Sequence, residues 1–158
     1  MILDRLIYDR TAADVNRAIY LRNKGYENLT DAEKQEWSSD LKGCLNCSDL
    51  NRVAEACRYI NAMYRQWGYD VTIPVKTDFT MDDFQDLQLM SDYCLSVLNL
   101  MGSIKNGRMG EVPRRMTGAT HVTQNNIERN LYLMPHVLKS VQEGMQVLKC
   151  TLGGDEFE

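Results

Sequence analysis

Apolar residues recur three and four positions apart along several stretches of the chain, separated by segments in which the pattern lapses. Leu50, Val53, Cys57, Ile60, Tyr64 and Trp67 follow this spacing, and so do Leu87, Met90, Cys94, Val97 and Met101. The most regular run is Ile127, Leu131, Met134, Leu138, Val141, Met145 and Leu148, in which steps of four and three alternate. A repeat near 3.6 residues lays one apolar stripe along a helix, and sustained four–three alternation is the seam of a bundle or coiled coil.

Helix ends are marked as clearly as helix faces. Thr11 and Thr30 each stand three residues before a carboxylate, Asp14 and Glu33, so that hydroxyl and acid can satisfy first-turn amides between them. Ser48 before Asp49 and Thr80 before Asp82 and Asp83 are similar. Gly25, Gly43, Gly68 and Gly102 follow periodic runs, at the place where a left-handed residue closes a helix. These signals predict helices over 11–24, 31–42, 49–67 and 81–101, and a fifth over 120–150. Pro135 inside the fifth removes a ladder bond, which predicts a kink near 131–135 or two shorter helices instead.

Between the helices, Ile2–Tyr8 reads as a short arm or strand. Val71–Val75 reads as an edge strand or extended connector, because Pro74 cannot donate to a sheet. Residues 102–118 carry four glycines and Pro113 and read as one long loop. The expected fold class is therefore all-α, a helical bundle with a short extended N-terminal arm, one extended connector and a long 102–118 loop. One domain is expected: arm 1–10, four capped helices over 11–101, the loop, the heptad helix 120–150 kinked at Pro135, and a tail 151–158. Helices three, four and five are expected to form its core.

Composition narrows the function. The 18 Lys and Arg against 22 Asp and Glu leave a net charge of −4, which argues against direct nucleic-acid binding. No stretch reaches the roughly 20 apolar residues of a membrane span, and Asp4 and Arg5 interrupt the N-terminus too early for a signal peptide. Five cysteines, an odd count, read as reduced thiols of a protein made in a bacterial or host cytoplasm. Cys44 and Cys47 form a CxxC, but a zinc site needs four donors and no second pair stands nearby. His121 and His136 lack a nucleophile in a recognisable setting, and adjacent Asp82 and Asp83 diverge on a helix. No glycine-rich phosphate loop precedes a helix. No catalytic residue, metal or cofactor is expected, and the chain does not read as an enzyme.

Charge is unevenly spread. Residues 70–92 hold six aspartates, Asp82, Asp83 and Asp86 among them, against Lys76 alone, whereas the long loop holds Lys105, Arg108, Arg114 and Arg115 against Glu111. Two solvated surfaces explain this, and so does a head-to-tail contact between the basic loop of one subunit and the acidic segment of the next. The heptad positions Leu131, Leu138, Val141, Met145 and Leu148 are the other candidate contact, with a second copy or a fibre coiled coil. The termini are either frayed ends or arms that order against neighbours.

One resemblance adds to this. The run Asp9-Arg10-Thr11-Ala12-Ala13-Asp14-Val15 resembles the opening of small helical proteins encoded in tail and baseplate gene clusters of Firmicutes phages and prophages. Further matches follow in order at Lys24–Tyr26, Leu29-Thr30, Glu36-Trp37, Leu41–Gly43, Asp49–Val53, Gly68-Tyr69 and Lys76–Thr80, with a looser one at Asn126-Ile127-Glu128 and Gly153–Glu156. Family members generally lack a CxxC, a further point against metal. The resemblance implies a virion structural protein of the tail, baseplate or tail fibre, an adaptor or assembly subunit whose partners are other tail proteins and itself. Such a protein reaches the virion after synthesis in the host cytoplasm. The alternative is a soluble phage-encoded inhibitor that binds a host or nucleoprotein target through the acidic 70–92 surface. Tyr26, Trp37 and Trp67 are expected to lock helix packing, and Asn51 and Arg52 to tie a turn by hydrogen bonds.

Overall fold

The longest apolar stripe in the first two-thirds of the chain becomes the axis of the fold. Helix α3 (Cys47–Gln66) buries Leu50, Val53, Ala54, Ala56, Cys57, Ile60 and Tyr64, and it packs against α4 (Leu87–Gly102) and α5 (His121–Gly153). Two shorter helices, α1 (Ala12–Lys24) and α2 (Asp31–Ser38), precede them. The computed structural model describes residues 2–104 and 109–153, with side chains as far as residue 144; among the described residues there are five α-helices, three short 3-10 turns and no strand. The protein is an all-α helical bundle. Its main core joins α3, α4 and α5 with Leu3 and Leu6 of the N-terminal segment, Val71 and Phe79 of the connector, and Ile104 and Val112 of the long loop.

The capping signals act where the spacing allows both halves of the box to close. Thr11 with Asp14 and Thr30 with Glu33 cap α1 and α2. Gly25 and Gly68 have positive φ of 77° and 82°, conformations that suit glycine at a helix end. Four boundaries differ from expectation. α3 starts at Cys47 because Asn46, not Ser48, is the cap, its side chain and backbone meeting Asp49; the Ser48 hydroxyl is buried without a partner. The span 81–101 is two elements, since the Thr80–Asp83 box closes a 3-10 turn, Met81–Gln85, and Asp86 caps α4 afresh through the amides of Gln88 and Leu89. α2 stops at Ser38, short of 42, because it buries no apolar face and Ser39 turns to extended geometry. Gly43 closes no helix: an added Cβ would lie 2.0 Å from the Asp14 carbonyl oxygen, so this glycine lets the chain pass directly over the start of α1.

The segments expected to be loose are packed. Ile2–Arg5 is a 3-10 turn with Leu3 and Leu6 in the core, neither a strand nor a free arm. Residues 71–75 form neither helix nor strand and connect α3 to the next element, with Val71 in the core. α5 passes through Pro135 as one helix, so the alternative of two helices is not realised. Residues 151–153 belong to α5, and 154–158 lie outside the described residues. Three asparagines fasten irregular backbone to helices by pairing with one residue's amide and carbonyl together. Asn125 holds Arg10 (3.0 and 2.8 Å), Asn51 holds Phe79 (2.6 and 3.1 Å), and Asn130 holds Gly110 (both 2.8 Å). Gly110 approaches α5 so closely that a Cβ would meet the Asn126 side chain at 2.6 Å.

α1 and α2 form a hairpin with a small interior of its own, Ala18, Leu21 and Leu29, and ion pairs across it. Arg17 meets Glu36 at 2.7 Å and Lys24 meets Glu33 at 2.6 Å. Tyr20, Tyr26 and Trp37 are exposed on it, so Tyr26 and Trp37 do not lock helix packing, whereas Trp67 does pack against the main core.

Two predictions follow from this packing. Gly43→Ala should lower stability by about 1–3 kcal/mol in urea, because the clash is with backbone that cannot rotate away. Gly102→Ala, with no atom within 4 Å of its added Cβ, should stay within about 1 kcal/mol of the parent. Acid should loosen the hairpin. The Lys24 ammonium and the Thr30 amide hold the Glu33 carboxyl down at about 2, against 4.5 ordinarily. Its contribution is complete above about pH 4.5 and is lost as pH falls through about 2. Trp37 fluorescence should change over that window, and Glu33→Gln should diminish the change, the Arg17–Glu36 pair accounting for the remainder.

Candidate functional site

Four charged side chains meet in the interior between the N-terminal segment, α3 and α5. Arg10 Nη2 lies 2.8 Å from Asp49 Oδ1 and 2.8 Å from Glu128 Oε1. Arg52 binds the same two acids, through Nε to Glu128 Oε2 at 3.0 Å and through Nη2 to Asp49 Oδ1. Glu128 is wholly buried, and Arg10 and Asp49 expose 5% and 3%. Two cations and two anions balance, which is the condition for charge at this depth. The remaining acceptor capacity is used locally. The Ile7 amide donates to Glu128 Oε2 at 2.6 Å, and the Asn46 amide donates to Asp49 Oδ2 at 2.9 Å. On the far side Gln124 Nε2 donates to Glu128 Oε1 at 3.2 Å and lies 2.9 Å from the Tyr93 hydroxyl, whose pKa burial raises well above its ordinary value.

Arg10 and Gln124 also line a half-open cleft of about 820 Å³. Four helix starts surround it: Val15 in the first turn of α1, Cys44 and Leu45 just before α3, Leu87 and Gln88 at the start of α4, and His121 at the start of α5. Phe84, Met90 and Met116 complete its apolar wall, with Arg115 on the loop side. No Asp or Glu is among the lining residues, in a chain with more acids than bases. Leu87, on the predicted apolar stripe of the fourth helix, is 76% exposed, at the edge of this cleft and outside the core.

The residues singled out from the sequence are dispersed. Leu131 and Leu138 are buried in the core of the protein itself, so they present nothing to a partner; the four–three spacing there is used inward. Val141 is 42% exposed, and residues 139–144 are all exposed. Side chains of Met145 and Leu148 lie outside the described residues, as do Lys105 and Arg108 altogether. Arg114 and Arg115 are exposed. Of the acidic candidates, Asp83 is held by Lys76 at 2.9 Å and by the Thr80 amide, which lower its pKa, and Asp86 caps α4, which leaves Asp82 exposed. Cys44 and Cys47 are free thiols whose pKa burial raises, so both resist ionisation. Cys47 Sγ lies 3.3 Å from Met81 Sδ, and among the described residues no group of three His, Cys, Asp or Glu is placed to hold a metal. No helix among the described residues is long and apolar enough to cross a membrane.

The buried ion group was missed in sequence, although its signal is there. Glu128 falls one residue after Ile127 and three before Leu131, on the apolar side of α5, where an unpartnered acid would be untenable. Arg52 does tie elements together, but across the interior and not at a turn; Asn51 makes the local tie, to Phe79.

Comparison of the chain with protein-family models, with curated proteins and with solved structures gives no match.

Glu128→Gln should destabilise the protein by about 3–5 kcal/mol in urea, because it leaves two buried guanidinium groups facing one carboxylate. Arg5→Ala, which breaks an equally short ion pair to Glu55 with both side chains largely exposed, should cost no more than about 1 kcal/mol.

Proposed function

We propose that this chain is a structural protein of a phage virion, a tail, baseplate or tail-fibre component that works as an adaptor or assembly subunit by binding other tail proteins and copies of itself. The observation that carries this reading is the division along α5. As far as Leu138 the helix is anchored by buried Ile127, Leu131, Met134 and Leu138, and beyond that point it continues to Gly153 while residues 139–144 face solvent. A helical stretch without a packed face gains little from propensity alone. In sequence the four–three spacing runs on through Val141, Met145 and Leu148, the pattern that a partner helix would cover. The rigid bundle then serves as the mount for that contact. The resemblance of residues 9–80 to proteins of tail and baseplate clusters supplies the setting.

Two measurements test it. Peptide mass spectrometry on purified, nuclease-treated particles should find the chain at a stoichiometry comparable to known tail proteins; recovery only from the soluble infected-cell lysate would overturn the virion reading. Val141→Asp should reduce the mass seen by light scattering, or capture of the tail partner, while leaving unfolding within about 0.5 kcal/mol because the site is exposed.

A further inference from the structure

We infer that the cleft between the helix starts receives the C-terminal segment of a second copy of the chain, with Phe157 seated in the cleft and its flanking acids against arginines of the 102–118 loop. This names the self-contact of the assembly subunit proposed above and rests on that reading, though not on residence in a virion. Leu45, Phe84, Leu87, Met90 and Met116 form an apolar wall around a space of about 820 Å³, within the roughly 300–1,000 Å³ of sites that enclose a small group. Arg115 lines the loop side, and Arg114 stands exposed next to it in the chain. Neither meets an acid among the described residues, and no Asp or Glu lines the cleft.

An aromatic anchor set among negative charges is the complement of such a site. Of the three phenylalanines, Phe79 is in the core and Phe84 lines the cleft itself. The third, Phe157, follows Asp155 and Glu156 and precedes Glu158. The acidic 70–92 segment matches the arginines less well, because Lys76 holds Asp83 and the start of α4 takes Asp86. Reach then decides which copy supplies the segment. α5 begins at the cleft with His121 and runs 33 residues to Gly153, about 50 Å at roughly 1.5 Å per residue. Phe157, four residues further on, extends at most about 14 Å from the end of the helix and cannot return to its own cleft. A donor segment at one end and a receiving cleft at the other make a head-to-tail contact, which repeats into a ring or a filament according to its rotation.

The test follows the mass of the full chain by sedimentation at concentrations up to about 1 mM, where even a contact worth about 4 kcal/mol is populated. Phe157→Ala removes the anchor and keeps the cleft. Leu87→Asp keeps the anchor and places an acid in the cleft, at a position exposed enough for the fold to tolerate it. Each variant alone should self-associate about tenfold or more weakly than the parent. An equimolar mixture of the two should form a dimer of one copy each that grows no further, because one variant supplies the segment and the other the cleft; a mere loss of stability would not be repaired by mixing. Self-association of the parent that neither variant weakens would overturn this contact and leave the assembly-subunit reading in place, as would weakened variants that fail to pair on mixing. A parent that stays monomeric throughout would overturn the contact together with self-assembly.

Discussion

Burial of four charges governs how the rest of this protein is arranged. Glu128 has no access to water, so Arg10, Arg52 and the Ile7 amide must all reach it, and Asp49 must stand where it can answer both guanidinium groups. Apolar faces slide over one another at little cost, whereas a buried carboxylate that loses a partner is penalised by several kcal/mol. The ion group thereby sets the rotation of α5 against α3 and the seat of residues 7–10. As an ion pair it adds little net stability over a well-packed apolar equivalent; its effect is on register.

The same constraint explains why the irregular segments are ordered. Once residues 7–10 are drawn into the interior, their peptide groups need partners that no helix supplies. Asn125 answers Arg10, and Asn51 and Asn130 do the same for the connector and the long loop. A carboxamide presents a donor and an acceptor side by side and so mimics one rung of a sheet, which is how an all-α protein holds extended chain without a strand. Arg10 directly precedes the Thr11 cap of α1, and Asp49 belongs to the capping box of α3, so the same short stretches hold the interior together and cap helices.

Drawing the N-terminal segment between α3 and α5 also brings several helix starts to one end of the bundle. A cleft remains between their first turns, with Arg10 and Gln124 at its wall and Glu128 and Tyr93 bonded behind them in the interior. At the other end α5 outruns the core. One helix thus links an acid-free cleft at its start to an exposed stretch beyond Leu138, and the bundle between them is the rigid part.

What the sequence by itself determined is local. Apolar spacing of three and four identified the helices, because period alone decides which side chains share a face. Paired hydroxyl and carboxylate caps located the starts of α1 and α2 because both partners lie within three residues. Tertiary structure decided the rest. The seam Ile127–Leu148 reads the same whether its stripe faces a core or a partner, and only the packing of α3 and α4 turned Leu131 and Leu138 inward and left Val141 outside. Asn46 prevailed over Ser48 as a cap because its amide and Asp49 meet beside Arg10, a residue 36 positions earlier. Gly43 resembled a helix stop until the backbone of Asp14 proved to lie against it. The ion group and the cleft were beyond local reading for the same reason: their members come from separate segments, and a charge is judged buried or exposed only when the chain has brought its counter-charge within reach.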